Sequence, residues 1–323
     1  MHRRACTSLA ARATRSASRK AASCSSSSDD ASRCLLLALS YDELGVIFDG
    51  LADPLQPVVA VALSSTCLGL RTPLRAALEV LKGRHQRALA LCRSVGLSCA
   101  GLADAEVLDW TSRRLNIEHL ATLGMIISTS GLPTLQKLRI DDNDFGDEGM
   151  HAMCKDLGLG ALPSAVSFCF ANVDLTKTGA QSFAAALRRG AFPALCGVYF
   201  GENAMGDQGV RVLAKALRSR PTMKFVFFGA CSMSDAGVAA LVSDLGKDEF
   251  KQLDYLGLWS NNLTDIGCAT LVSSLEAGDM PMLETIDLEH TNASDVSCAA
   301  VQAAVQRRPV TNRSEATLGV GVR

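Results

Sequence analysis

Leu195-Cys-Gly-Val-Tyr-Phe-Gly-Glu-Asn-Ala-Met-Gly-Asp-Gln-Gly-Val-Arg-Val-Leu-Ala-Lys-Ala-Leu217 joins two hydrophobic periods at one offset. Leu195, Val198 and Phe200 follow an apolar-x-x-apolar-x-apolar rule, with Val198 and Phe200 on one side of a short strand. Asn203 and Met205 follow, and Gly209 is read as opening a helix. Val210, Leu213, Ala214 and Leu217 then fall at i, i+3, i+4 and i+7, one apolar helix face. Seven such units can be laid over one another. They begin at Ala105, Leu135, Ala165, Leu195, Met223, Leu253 and Leu283, in steps of 30, 30, 30, 28, 30 and 30 residues. A fixed period of this length is the mark of a stacked solenoid, in which each unit buries its apolar face only against its neighbours.

The spacing and the Asn after the strand resemble the leucine-rich-repeat family, in its long ribonuclease-inhibitor-like class with a full helix per repeat. The resemblance covers roughly residues 105–307. It implies an α/β fold: a curved solenoid with a parallel sheet on the concave side, helices on the convex side, and a helical segment before the repeats. The turn column reads Arg113, Asn143, Val173, Asn203, Cys231, Asn261 and Thr291. A buried amide there can pair with backbone groups of adjacent turns. Val173 cannot, so its turn is expected to differ, to be solvated, or to recruit Asn172. Arg113 fits a terminal turn that faces water.

Alternation fixes which strand residues face outward. Tyr199, Phe225, Phe227, Tyr255 and Trp259 converge on one face of three adjacent repeats. The chain holds only three Tyr and two Trp, so composition does not explain the grouping. Exposed aromatics bury large area at low entropic cost and suit a binding surface. Gly197, Gly201, Gly229 and Gly257 beside them would leave room for a partner. Asp287 and Glu289, with Asp141, Asp142 and Glu202, make a partly acidic rim suited to a basic or amphipathic peptide. Two plainer accounts stand beside this one. Aromatics favour strands and stack laterally between neighbours, and residues 308–323 could fold back over the face.

Ahead of the repeats, residues 35–100 read as helical. Leu44, Ile47, Phe48 and Leu51 make one apolar face, with Ser40 and Glu43 as a capping box. A second apolar run covers Val58 to Leu70, and a helix is expected from Pro73 to Val95 with Pro near its first turn. Leu39-Ser-Tyr-Asp-Glu-Leu-Gly-Val-Ile-Phe-Asp-Gly-Leu51 with Val61-Ala-Leu-Ser-Ser-Thr-Cys-Leu-Gly-Leu-Arg71 resembles an F-box. In that family the motif docks onto the adaptor of a cullin-based ubiquitin ligase. Ser40 stands where the family has Pro, and the late aromatic is missing. A simple helical cap over the first repeat is the other reading of 35–100.

Residues 1–34 hold seven Lys or Arg and two Asp, a charge of +5. With a total of −1, residues 35–323 therefore carry −6. An Arg-, Ser- and Ala-rich segment of this kind reads as a disordered tail or as a transit-like peptide. The first implies a cytoplasmic protein and the second an organellar one. The weakly acidic body argues against a general nucleic-acid partner, and no apolar run is long enough to span a bilayer. Twelve cysteines form no C-x-x-C and no zinc spacing. In Asp141-Asp-Asn-Asp-Phe-Gly-Asp-Glu148, Phe145 and the later Ala152 stand where a calcium loop needs oxygen ligands. No catalytic, cofactor or metal site is expected, because no nucleophile, phosphate-loop or dinucleotide motif is present. The expected function is non-enzymatic binding of a protein on the concave face. The alternatives are a ubiquitin-ligase substrate receptor through 39–71, and a GTPase activator like the Ran GTPase activator, whose repeat class is similar.

Overall fold

The computed structural model describes residues 39–66 and 68–307, so the expectations for 1–34 and 308–323 lie outside the described residues. Seven three-residue strands form one parallel sheet in sequence order: β1 (Val107–Asp109), β2 (Lys137–Arg139), β3 (Ser167–Cys169), β4 (Gly197–Tyr199), β5 (Phe225–Phe227), β6 (Tyr255–Gly257) and β7 (Thr285–Asp287). Among the described residues, four helices precede β1: α1 (Tyr41–Leu51), α2 (Val58–Ser65), α3 (Leu68–Val95) and α4 (Cys99–Ala103). One helix then follows each strand: α5 (Ile117–Thr129), α6 (Gly146–Cys154), α7 (Lys177–Arg188), α8 (Gly206–Arg218), α9 (Asp235–Val242), α10 (Asp265–Glu276) and α11 (Asp295–Gln306). From α5 to α11 each helix packs on the next, making a two-layered strand–helix solenoid. Strands stack ~4.8 Å apart while helices need ~8–10 Å, so the sheet takes the inside of the curve.

The register runs unbroken through all seven strands. Val107, Lys137, Ser167, Gly197, Phe225, Tyr255 and Thr285 are successive partners, and so are Asp109, Arg139, Cys169, Tyr199, Phe227, Gly257 and Asp287. Between these two columns, the middle residues from Leu108 to Ile286 are buried. In the fourth unit Leu195, Val198, Phe200, Leu213 and Leu217 are all fully buried, each worth about 1.5–3 kcal/mol of transfer free energy. Its helix starts at Gly206, three residues before Gly209.

The Asn turns behave as their chemistry requires. Asn203 accepts from Val173 N (3.2 Å) and Leu175 N (2.9 Å) in the preceding turn. Its amide nitrogen donates to Phe170, Phe200 and Gly201 carbonyls. Asn261 does the same for Cys231 N and Met233 N, and Asn143 for Leu115 N. The Val173 turn differs from its neighbours, as expected, and does not recruit Asn172. Val173 is fully buried as an apolar residue, and its own N–H is closed by Asn203 of the next turn. Exposed Asn172 reaches instead to Asp142 Oδ1 at 2.9 Å. Cys231 donates its thiol to Phe200 O, and Arg113 is exposed at the outermost turn.

A second ladder follows the first. Asp147 accepts from Thr176 N and Gly179 N, Asp207 from Ser234 N, Asp235 from Thr264 N and Gly267 N, and Asp265 from Ser294 N. Each carboxylate thus caps amides at the N-terminal end of the next helix, where they lack helical partners. Lys177 interrupts this column in the same repeat in which Val173 interrupts the other.

The preceding helices have two cores. Leu44 and Phe48 of α1, Ala60 of α2, and Leu70, Leu74 and Leu81 of α3 pack together. The second half of α3, through Ala88, Leu91, Cys92 and Val95, packs into the core of the repeats. This helix begins at Leu68, so Pro73 lies inside it rather than opening it. Ser40 and Glu43 form the capping box of α1. Asp53 accepts from Ser130 Oγ at 2.6 Å, tying the loop after α1 to the end of α5. No described helix is long and apolar enough to cross a membrane.

Candidate functional site: an aromatic stack on the concave sheet

Strands β4 to β7 bring the singled-out residues together. Tyr199 and Phe227, partners in one column, stack with ring centroids 4.2 Å apart and 14° between planes. The next residue in that column is Gly257, which has no side chain to continue the stack. Tyr255, from the neighbouring column, covers the gap and stacks on Phe227 at 4.6 Å and 24°. A Cβ added at Gly257 would lie 2.9 Å from the Phe227 ring and 3.3 Å from Tyr255. The strand alternation brings the three rings to one face, and the missing side chain at 257 lets them join.

Trp259 fills the next column. A Cβ at Gly229 would fall 2.0 Å from its indole, and one at Gly201 would fall 3.5 Å from it. The ring therefore lies flat over two glycines of the preceding repeats. Phe225 bears likewise on Gly197, where a Cβ would meet it at 3.7 Å. The glycines thus do not leave open room for a partner. They seat the aromatic rings of this chain. All five aromatics are half-buried, with one surface against the sheet and one toward solvent.

Acidic groups border the stack at the β7 end. The Tyr255 hydroxyl donates to Asp287 Oδ2 at 3.3 Å, and Glu289 is exposed beyond it. Burial first, then the Asp287 and Glu289 charges, push the Tyr255 phenol up to about 12. Burial likewise raises Tyr199 to about 12. Asp254 and Glu284, one position before their strands, went unnoticed in the sequence reading. Burial and then Glu284 raise the Asp254 carboxyl above its ordinary range, with Lys224 acting against them. A concavity of about 520 Å³ opens at this end, lined by Tyr255, Asp287, Glu289 and residues of α11.

The other end of the sheet differs. Arg139 lies 3.6 Å from both Asp109 and Asp141. Asp141 also accepts from Ala171 N, and Asp142 from Asn172 and Ser112. These acids are engaged by donors of the protein itself. Cys169 is pushed well above the ordinary thiol range, by burial first and then by Asp141. That shift disfavours the thiolate a nucleophile or metal ligand needs.

A family profile described as Leucine Rich repeat matches residues 131–154, which hold β2 and α6. No curated protein matches the chain. Among solved structures, the chain is similar to leiomodin-1 actin-binding site 2, at 12% identity and a TM-score of 0.34 over 45% of this chain and 78% of that one. It is also similar to the Caenorhabditis elegans tropomodulin C-terminal domain, at 10% identity and a TM-score of 0.31 over 69% and 92%. Overlaps this loose bear on neither site nor partner.

Proposed function

We propose that this chain, a leucine-rich-repeat protein, grips a protein partner on the solvent-facing side of the stack formed by Tyr199, Phe227 and Tyr255 with Phe225 and Trp259. The observation that carries the reading is the stack itself. Five aromatics pre-ordered on a rigid sheet lose little side-chain entropy on binding, and ordered aromatic anchors dominate interface energetics. Asp287 and Glu289 flank the stack and favour a partner with basic residues at the β7 end. The test is capture with wild-type and Phe227→Ala/Trp259→Ala bait. Partners recovered by the first and lost by the second, at unchanged helicity, support the reading. Equal recovery sinks it.

One further observation favours a second contact. In α2 Ala60 and Ser64 are buried and Leu63 packs partly against the local core, while Val58, Val59 and Val61 are exposed. Tyr41 and Val46 of α1 are exposed as well. A pure cap over the first repeat has no need of valines in water. An apolar face on helices with their own core suits the docking of 39–71 onto an adaptor, with residues 35–100 as a module beside the 101–307 solenoid. Val58→Asp/Val59→Asp should abolish recovery of a cullin and its adaptor while leaving the stack's partners bound. Absence of both from wild-type captures removes this reading.

A further inference from the structure

One column of the repeat helices changes its chemistry at the β7 end. From α6 to α11 it reads Met150, Ala180, Val210, Val238, Cys268 and Cys298 at the repeat spacing. The first four are fully buried apolar side chains, Cys268 is buried beside them, and Cys298 packs half-buried against the same core. Two consecutive repeats thus carry a thiol where the four before them carry none. Both thiols are free. The Cys298 thiol lies within hydrogen-bonding reach of the Cys268 thiol.

The first turns of these helices are packed closely enough for a covalent bond between them. Asp235 Oδ1 accepts from Gly267 N at 2.9 Å, just before Cys268, and Asp265 Oδ1 accepts from Ser294 N at 2.7 Å, one turn before Cys298. Gly179 and Gly209 hold the place just before the column in two earlier repeats. A Cβ on either would lie 3.5 Å from a backbone Cα of the preceding helix. Backbones in such contact match the Cα separation of about 4.4–6.8 Å that a disulfide spans. Burial first, and then Cys298, push the Cys268 thiol up to about 12, which disfavours the standing thiolate of a nucleophile or metal ligand. A disulfide needs the thiolate only in passing, and once formed it puts no charge into the apolar column.

We propose that Cys268 and Cys298 form a modification site, oxidised to an intrachain disulfide by a low-molecular-weight disulfide of the glutathione type. One protein thiolate attacks the S–S bond of the oxidant, forms a mixed disulfide and releases one thiol. The second protein thiolate attacks the protein sulfur of that mixed disulfide, closes the Cys268–Cys298 bond and releases the other thiol. Two protein thiols are oxidised, the oxidant is reduced to two thiols, and the two protons leave with them. The bond joins α10 to α11 and closes a loop of about 30 residues. Neighbouring repeats are otherwise held by contact alone, so the link keeps the last described repeat from opening away from the one before it.

Mass spectrometry of the full-length protein, equilibrated with oxidised glutathione, alkylated and cut after Glu276, Glu284 and Glu289, tests this. A Cys268–Cys298 cross-link is expected, and dithiothreitol should reverse it. Backbone amides of α11 should exchange at least tenfold more slowly in the oxidised than in the reduced protein. In Cys268→Val, which takes the side chain of Val210 and Val238, the two conditions should give equal exchange. Cys298→Ala supplies the same comparison if that variant folds poorly. Both thiols still open to alkylation after oxidation overturn the proposal. So do thiols that stop at separate glutathione adducts, or that pair with other cysteines.

Discussion

The two halves of the concave sheet share one scaffold and differ in what they show to solvent. Beneath both run the same inward columns and the same Asn-bridged turns, at Asn143 in one half and at Asn203 and Asn261 in the other. On the surface, β1 to β3 carry Asp109, Arg139 and Asp141, which pair among themselves. Strands β4 to β6 carry Tyr199, Phe225, Phe227 and Tyr255, with Trp259 just beyond. A scaffold that tolerates self-paired charges in one half does not require five aromatics in the other. The proposed binding surface lies in the second half.

The largest expected effect lies beneath both halves. Asn203→Ala removes an amide with five hydrogen bonds in a fully packed turn, and should lower stability by about 2–4 kcal/mol in denaturant unfolding. A loss under about 1 kcal/mol would show that the turns do not depend on their Asn residues. Phe227→Ala breaks two stacked pairs. It should weaken partner binding by about 2 kcal/mol or more, while unfolding changes by only about 1–2 kcal/mol. Gly229→Ala leaves every aromatic in the sequence but drives a methyl into the Trp259 indole. A fall in affinity of about tenfold, with Trp fluorescence shifted toward that of exposed indole, is expected if the seating of this ring matters. Arg139→Gln in the polar half should change both affinity and stability by less than about 0.5 kcal/mol, since exposed ion pairs contribute little.

The halves should also separate on a pH scale. Tyr199 and Tyr255 are raised to about 12, against about 10 for an unfolded chain. Between these values the folded protein keeps protons that the unfolded chain has lost, so stability present below about pH 10 falls as pH rises toward 12. Ultraviolet titration of the phenols should lose its latest step in a Tyr199→Phe/Tyr255→Phe variant. A latest step that persists in that variant contradicts the buried setting of both rings.

Much of this comparison was readable before any coordinates. The 30-residue period fixes the register, because side chains alternate strictly along a strand and each column must repeat. Tyr199, Phe227, Tyr255 and Trp259 could therefore be assigned to one face. What those rings do to each other was not readable. Gly257 and Gly229 look like open space in a sequence, and only the structure has Tyr255 leaning across one column and Trp259 covering another. The Asp ladder was visible in principle, as Asp147, Asp207, Asp235 and Asp265 recur in column. Its meaning depends on which amides lie 2.7–2.8 Å away in the following repeat. At Val173 the reading of a break stands: Asn203 holds the N–H groups of Val173 and Leu175, while Val173 has no amide with which to do the same for the turn before it.

The most direct measurement is paired capture with two double variants, Phe227→Ala/Trp259→Ala and Asp109→Asn/Arg139→Gln, each checked by circular dichroism for an intact fold. The account predicts that proteins retained by the wild-type chain vanish from the first and persist with the second. Loss from the second and persistence with the first would contradict it, and would move the binding surface to the polar half of the sheet.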